Sequence, residues 1–101
     1  MEYRSEVKDG ILHIHISGNI IFEETADFSR YLDSLLTEEF SAAVLNFSGV
    51  TGITSSAIGA VIDFHQKLTA KGRTMRIEGM SEKAYSVFKY FKLDQLFPIE
   101  R

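Results

Sequence analysis

The chain has 101 residues, 45% hydrophobic and 25% charged, which bounds it to one domain with one core and a globular rather than disordered character. Its 11 Lys and Arg against 14 Asp and Glu give a formal net charge of −3 without a basic block, which argues against a nucleic-acid partner. The absence of Cys excludes disulfides, thiolate metal sites and cysteine nucleophiles. No apolar run is long enough to span a membrane, and Met1-Glu2-Tyr3-Arg4-Ser5 lacks a basic region followed by an apolar stretch, so a cytoplasmic location without membrane insertion is expected.

In chain order, Tyr3 to Lys8 alternates weakly, Asp9-Gly10 is a turn signal, and Ile11-Leu12-His13-Ile14-His15-Ile16 alternates clearly, which predicts a β-hairpin. Leu12, Ile14 and Ile16 share one face of that strand, and His13 and His15 lie on the other, expected to be the wetter. After Gly18-Asn19, the spacing of Phe28, Tyr31, Leu32, Leu35 and Leu36 predicts an amphipathic helix from Glu23 to Leu36. The short apolar run Ala42 to Phe47, bounded by Ser41 and by Ser48-Gly49, reads as a central strand buried on both faces.

Ile58, Val61, Ile62, His65 and Leu68 recur at helical spacing, with Gly72 placed as a left-handed cap, so a second helix is predicted over Ser55 to Lys71. Thr74 to Glu78 alternates as a strand. Ser81 can cap a third helix over Glu82 to Phe91, with Ala84, Val87, Phe88 and Phe91 as its apolar stripe. Leu96-Phe97-Pro98-Ile99 is a short final strand or a packed tail, since Pro98 cannot donate to an interior ladder. The order β-β-α-β-α-β-α, built on βαβ crossovers, predicts an α/β fold of the mixed-sheet kind, with four to five β-strands and three to four α-helices packed mainly on one face.

Catalytic chemistry is sparse. There is no Gly-rich phosphate loop, no His-Glu-x-x-His and no EF-hand loop. His13 and His15 stand at a spacing that can hold a metal but lack an evident third ligand, and His65 reads as a hydrogen-bonded, partly buried side chain. Glu23-Glu24 complements the positive end of a helix dipole, and Glu38-Glu39 reads as a solvated pair. No cofactor, metal or catalytic residue is expected, and the chain is read as a non-enzyme.

The densest cluster of small and hydroxyl residues is Gly49-Val50-Thr51-Gly52-Ile53-Thr54-Ser55-Ser56-Ala57-Ile58-Gly59, read as a loop between the central strand and the second helix. Hydroxyls at a helix N-terminus either cap free N–H groups or present themselves to a partner, and on residue types alone capping is the simpler reading.

From Val44 to Ile99, the run Val-Leu-Asn-Phe-Ser-Gly-Val-Thr-Gly-Ile-Thr-Ser-Ser-Ala-Ile-Gly, followed by helix, Lys-Gly, strand, helix and Leu-Asp-Gln-Leu-Phe-Pro-Ile, resembles the STAS domain family. The hairpin, Gly18-Asn19-Ile20 and the first helix fit its less distinctive first half, so the resemblance spans residues 1–101 as a single STAS-like domain. The anti-sigma factor antagonists of that family carry Asp-Ser-Ser-Gly-Leu-Gly before the second helix, where this chain has Thr54-Ser55-Ser56-Ala57-Ile58-Gly59. The resemblance implies a phosphoacceptor at Ser56, with Ser55 as second choice. It also implies an anti-sigma factor that is a GHKL-type serine kinase as partner, a PP2C-type phosphatase, and release of the partner on phosphorylation.

Three departures bear on this: Thr54 replaces the aspartate, Ala57 replaces the glycine, and Ile21 stands where the family's Gly-Glu-Leu-Asp pattern has its aspartate. The expected docking surface comprises Thr54, Ser55, Ser56, Ala57 and Ile58, with Ile20, Ile21 and Phe22 as a second contact. The alternative is a constitutively bound STAS subunit of a stressosome or a lipid-transport ATPase, and self-association is compatible with either reading.

Overall fold

A computed structural model describes residues 2–20 and 25–101. β1 (Glu2–Lys8) and β2 (Ile11–Ile20) form the expected hairpin. Asp9 (φ 53°) and Gly10 (φ 77°) are both left-handed, the type I′ geometry whose twist matches the flanking strands. α1 (Thr25–Ser34) continues into a 3-10 turn, Leu35–Thr37. Then follow β3 (Ala42–Ile53), α2 (Ser55–Ala70), β4 (Thr74–Glu78), α3 (Glu82–Tyr90) and a second 3-10 turn, Leu93–Gln95.

The four strands lie in the order β1-β2-β3-β4; β1 is antiparallel to β2, and β2, β3 and β4 are parallel. Each parallel step moves the chain one strand further in the same direction. Right-handed crossovers that step one way deposit their helices on one face. The register agrees: Leu12 with Ala43 and Met75, and Ile14 with Leu45 and Ile77, all point into one buried cluster with Phe28, Phe64 and Phe88. The opposite face carries His13 and His15 with Glu6, Arg4, Asn46 and Glu78. Among the described residues of that face Val44, between His13 and Arg76 in the register, is buried, but its β3 neighbours Ala42 and Asn46 are only half-buried. β3 is therefore not buried on both faces as its composition predicts: the helices cover one face alone.

Ring contacts tie the layers together. Tyr3 stacks on Tyr31 with centroids 4.3 Å apart, and Phe47 meets Phe88 edge-on at 6.0 Å, joining β1 to α1 and β3 to α3. α2 ends in the predicted left-handed cap: Gly72 has φ 73°, its N–H donates to Thr69 O, and the Arg73 N–H donates to Leu68 O.

Some boundaries and stripes differ from expectation. β3 does not stop at Phe47 but runs through Ser48-Gly49 to Ile53, because β2 also continues and offers parallel backbone partners from Ser17 to Ile20 across two register shifts. The first helix breaks into a 3-10 turn after Ser34, and the predicted start at Glu23-Glu24 lies outside the described residues. In α2 the buried stripe is Ala57, Ile58, Ala60, Val61, Phe64 and Leu68, wider than a one-sided pattern because both the sheet and α1 cover it, while Ile62 and His65 are only half-buried. Phe91 is exposed rather than core: α3 ends at Tyr90, Lys92 turns left-handed (φ 60°), and Leu93 takes the buried place. The tail packs Phe97 and forms a single parallel bridge from Ile99 to Ile77.

Candidate partner-docking site

β3 carries the chain to its carboxyl end at Ile53, and α2 begins two residues later. Thr54, the single residue between them, is extended (φ −91°, ψ 162°) and is the N-cap of α2. Its hydroxyl accepts the Ala57 N–H at 3.3 Å, and its carbonyl accepts the Ile58 N–H at 3.0 Å. One hydroxyl therefore does the capping. Ser55 is exposed and Ser56 half-buried, and among the described residues neither side chain makes a hydrogen bond within the chain.

The stretch expected as loop, Gly49 to Thr54, is thus strand as far as Ile53, with Thr54 the one linking residue before a capped helix that starts, as predicted, at Ser55. This corrects the contact set. Ala57 (0% exposed) and Ile58 (4%) point into the core, because this side of α2 faces the sheet, so neither side chain can touch a partner. They anchor the turn that presents Ser55 and Ser56. Of the proposed second contact, Ile20 pairs through its backbone with Ile53, which brings the end of β2 beside the end of β3; Ile21 and Phe22 lie outside the described residues.

Ser56, Gly59 and Asp63 follow one another at i, i+3 and i+7 along the outer side of α2, and face Thr25, Ala26 and Ser29 of α1 across an open groove of ≈ 630 Å³. Its walls are short side chains, so a partner can approach both helices closely. Asp63 lies about 10 Å along the axis from Ser56 at helical rise and is held by Lys67 at 2.9 Å. Lys67 also reaches Asp33 of α1 at 3.0 Å, so one ammonium fastens α1 to α2 below the groove. Hydrogen bonding to Asp63, then to Asp33, raises the Lys67 pKa above its ordinary value.

Sequence reading missed the α1 wall and Asp63. The available signal was the i, i+3, i+7 spacing from Ser56, though nothing in the residues tells which helix lies opposite. A second depression, lined by Val50, Thr51, Gly52 and Ile53 with Ser81, Lys83, Ala84 and Val87, borders the other side of the β3 end. The carboxyl ends of parallel strands are where α/β folds present their binding surfaces, and both depressions lie there.

The STAS domain family matches residues 2–101. No curated protein matches the chain by sequence. Among solved structures, an anti-sigma factor antagonist from Mycobacterium paratuberculosis superimposes with a TM-score of 0.88 at 17% identity, covering 98% of this chain and 84% of that one. The Bacillus cell fate determinant SpoIIAA in its phosphorylated form gives 0.75 at 16% identity, covering 97% and 90%. A sulfate transporter family protein from Wolinella succinogenes gives 0.78 at 18% identity, covering 94% and 80%. At such identities the likeness is one of fold.

Proposed function

Since the chain belongs to the STAS domain family, we propose that it is a non-catalytic partner-switching module of the anti-sigma factor antagonist kind. Unmodified, it docks an anti-sigma factor that is also a GHKL-type serine kinase through the first turn of α2 and the α1–α2 groove. With phosphate on Ser56 it lets go, and a PP2C-type phosphatase resets it.

The observation that carries this reading is the division of roles between Thr54 and Ser56. Thr54 satisfies the helix end, which leaves the Ser56 hydroxyl available beside a groove lined by small residues. A phosphate there adds about −1.5 to −2 charge and a large hydrated group to the docking surface. Within the chain that charge sits at the positive end of the α2 dipole, so the fold tolerates it. At an interface it must be desolvated or matched, and a partner shaped for a bare hydroxyl does neither.

A second reading is a constitutive STAS subunit of a stressosome or of a lipid-transport ATPase. Two observations favour it: the uncharged Thr54 and the fully buried Ala57 replace the aspartate and glycine of the antagonist loop, and a sulfate transporter family protein shares the fold.

The test is retention from the native lysate by wild-type, Ser56→Ala and Ser56→Asp baits. The switching reading expects a GHKL-type kinase on the first two and its loss from the third. Equal retention of one scaffold or ATPase on all three replaces it with the constitutive reading.

A further inference from the structure

The two edges of the sheet are finished differently. Beyond β4 the tail lies along the edge: the Ile77 N–H donates to Pro98 O at 3.0 Å, the Glu100 N–H donates to Ile77 O at 2.8 Å, and Pro98 cannot extend the ladder. Beyond β1 no further strand follows among the described residues. β1 is seven residues long, contains no proline, and pairs with β2 from Glu2 to Lys8 without a bulge. These are the features of an edge open to another strand.

Charge is the remaining protection an edge can carry, and here its pattern is self-complementary. In Glu2-Tyr3-Arg4-Ser5-Glu6-Val7-Lys8, an antiparallel copy centred on Ser5 sets Glu2 against Lys8, Tyr3 against Val7 and Arg4 against Glu6. Every charge meets its opposite, and by two-fold symmetry each of these pairs occurs twice. Among the described residues none of Glu2, Arg4, Glu6 or Lys8 enters an ion pair within the chain.

The backbone phase fits the same centre. The two-residue turn at Asp9-Gly10 makes Lys8–Ile11 a hydrogen-bonded pair, so by alternation Lys8, Glu6, Arg4 and Glu2 turn their N–H and C=O groups toward β2. Ser5 and Val7 turn theirs outward. A two-fold axis at Ser5 closes a hydrogen-bonded pair between the two Ser5 residues. It places Arg4 against Glu6, and Glu2 against Lys8, at the non-hydrogen-bonded positions, where side chains approach most closely. On the helix-bearing side, Val7, 41% exposed, comes under the second copy's Tyr3, a ring already steadied by Tyr31.

We propose that this chain forms a reversible homodimer by antiparallel pairing of β1 with β1 of a second copy about Ser5, giving one continuous eight-stranded sheet. Alternating signs select the antiparallel register centred on Ser5, since shifting it by two residues sets Arg4 against itself or Glu6 against itself. The α1–α2 groove is lined by residues of neither β1 nor its neighbour β2, so the dimer and the partner site are independent.

Sedimentation velocity over a concentration series, at low and high salt, tests this on wild type and three variants. Ser5→Pro removes an outward N–H without touching the β1–β2 ladder, and is expected to raise the dimer dissociation constant more than about tenfold with an unchanged circular dichroism spectrum. Glu6→Lys sets like charges against Arg4 and should do the same as a purely surface change. The exchange Arg4→Glu with Glu6→Arg restores complementarity and should restore the dimer. Wild type is expected to dimerise more weakly as salt rises. A wild-type chain that stays monomeric at high micromolar concentration overturns the proposal. So does a dimer that survives both Ser5→Pro and Glu6→Lys, or an exchange variant no better than Glu6→Lys alone.

Discussion

Ser17 of β2 lies so close over Gly49 of β3 that a β-carbon on Gly49 would stand 2.7 Å from the Ser17 Cβ and 3.2 Å from its Cα. The two strands stay paired past Phe47 because residue 49 has no side chain, and this extension carries β3 to the docking end of the sheet. Gly49→Ala must push backbone apart, and is expected to cost about 1–3 kcal/mol, as overpacking does. Urea unfolding measures it. Adding Ser17→Gly removes the shortest contact and should return part of the loss; no recovery would place the strain elsewhere.

Thr54→Ala removes the cap of α2 and leaves the Ala57 N–H without its acceptor. The expected loss is about 1 kcal/mol, read as a lower urea midpoint at unchanged m-value. Thr54→Asp keeps an acceptor, adds a negative charge at the positive helix end, and should be at least as stable as wild type. Equal loss in both would mean that the hydroxyl contributes packing rather than capping.

Gly59 is exposed on α2, and a methyl group added there would meet nothing within 4 Å, so Gly59→Ala should stabilise the fold by about 0.5–1 kcal/mol through helix propensity and the unfolded-state entropy of glycine. The same methyl rises from the groove beside Ser56 and should weaken retention of the partner. Stability and binding are therefore expected to move in opposite directions. Unchanged retention would put the partner on the other side of the β3 end.

His65 packs against the Phe97 ring at 5.0 Å and lies 3.5 Å from the Thr69 hydroxyl, and burial lowers its pKa from the ordinary 6.5. Burial penalises the charged ring, so the unfolded chain binds the proton more readily than the folded one. The associated stability is complete above pH 6.5 and is lost as pH falls through the folded-state value. Urea midpoints taken from about pH 8 downward should decline below neutrality in the wild type. They should decline less in His65→Gln over the same window. Parallel curves would assign the acid loss to other groups.

Much of the fold is written in local pattern. The alternation of Leu12, Ile14 and Ile16, the Asp9-Gly10 turn, the Gly72 cap and the Ser81 cap all appear where residue chemistry puts them, because each depends on neighbours within a few positions. The hydroxyl cluster that marks the candidate site is equally local. What the residues do not disclose is which of those hydroxyls is occupied, since Thr54, Ser55 and Ser56 have similar capping chemistry and only backbone geometry selects Thr54.

The remainder belongs to tertiary structure, because it depends on what lies opposite. Ala57 and Ile58 look like part of a small-residue docking loop until the sheet is placed beneath α2, and then they are core. Strand β3 outruns its apolar run because β2 supplies partners for Gly49 to Ile53, a condition that no window of β3 contains. The groove beside Ser56 exists only once Ala26 and Ser29 of α1 are brought across from it and Lys67 ties the two helices together. Order and type of the elements follow from short-range periodicity and capping, whereas burial and concavity follow from long-range packing, which brings together residues as far apart in the chain as Asp33 and Lys67.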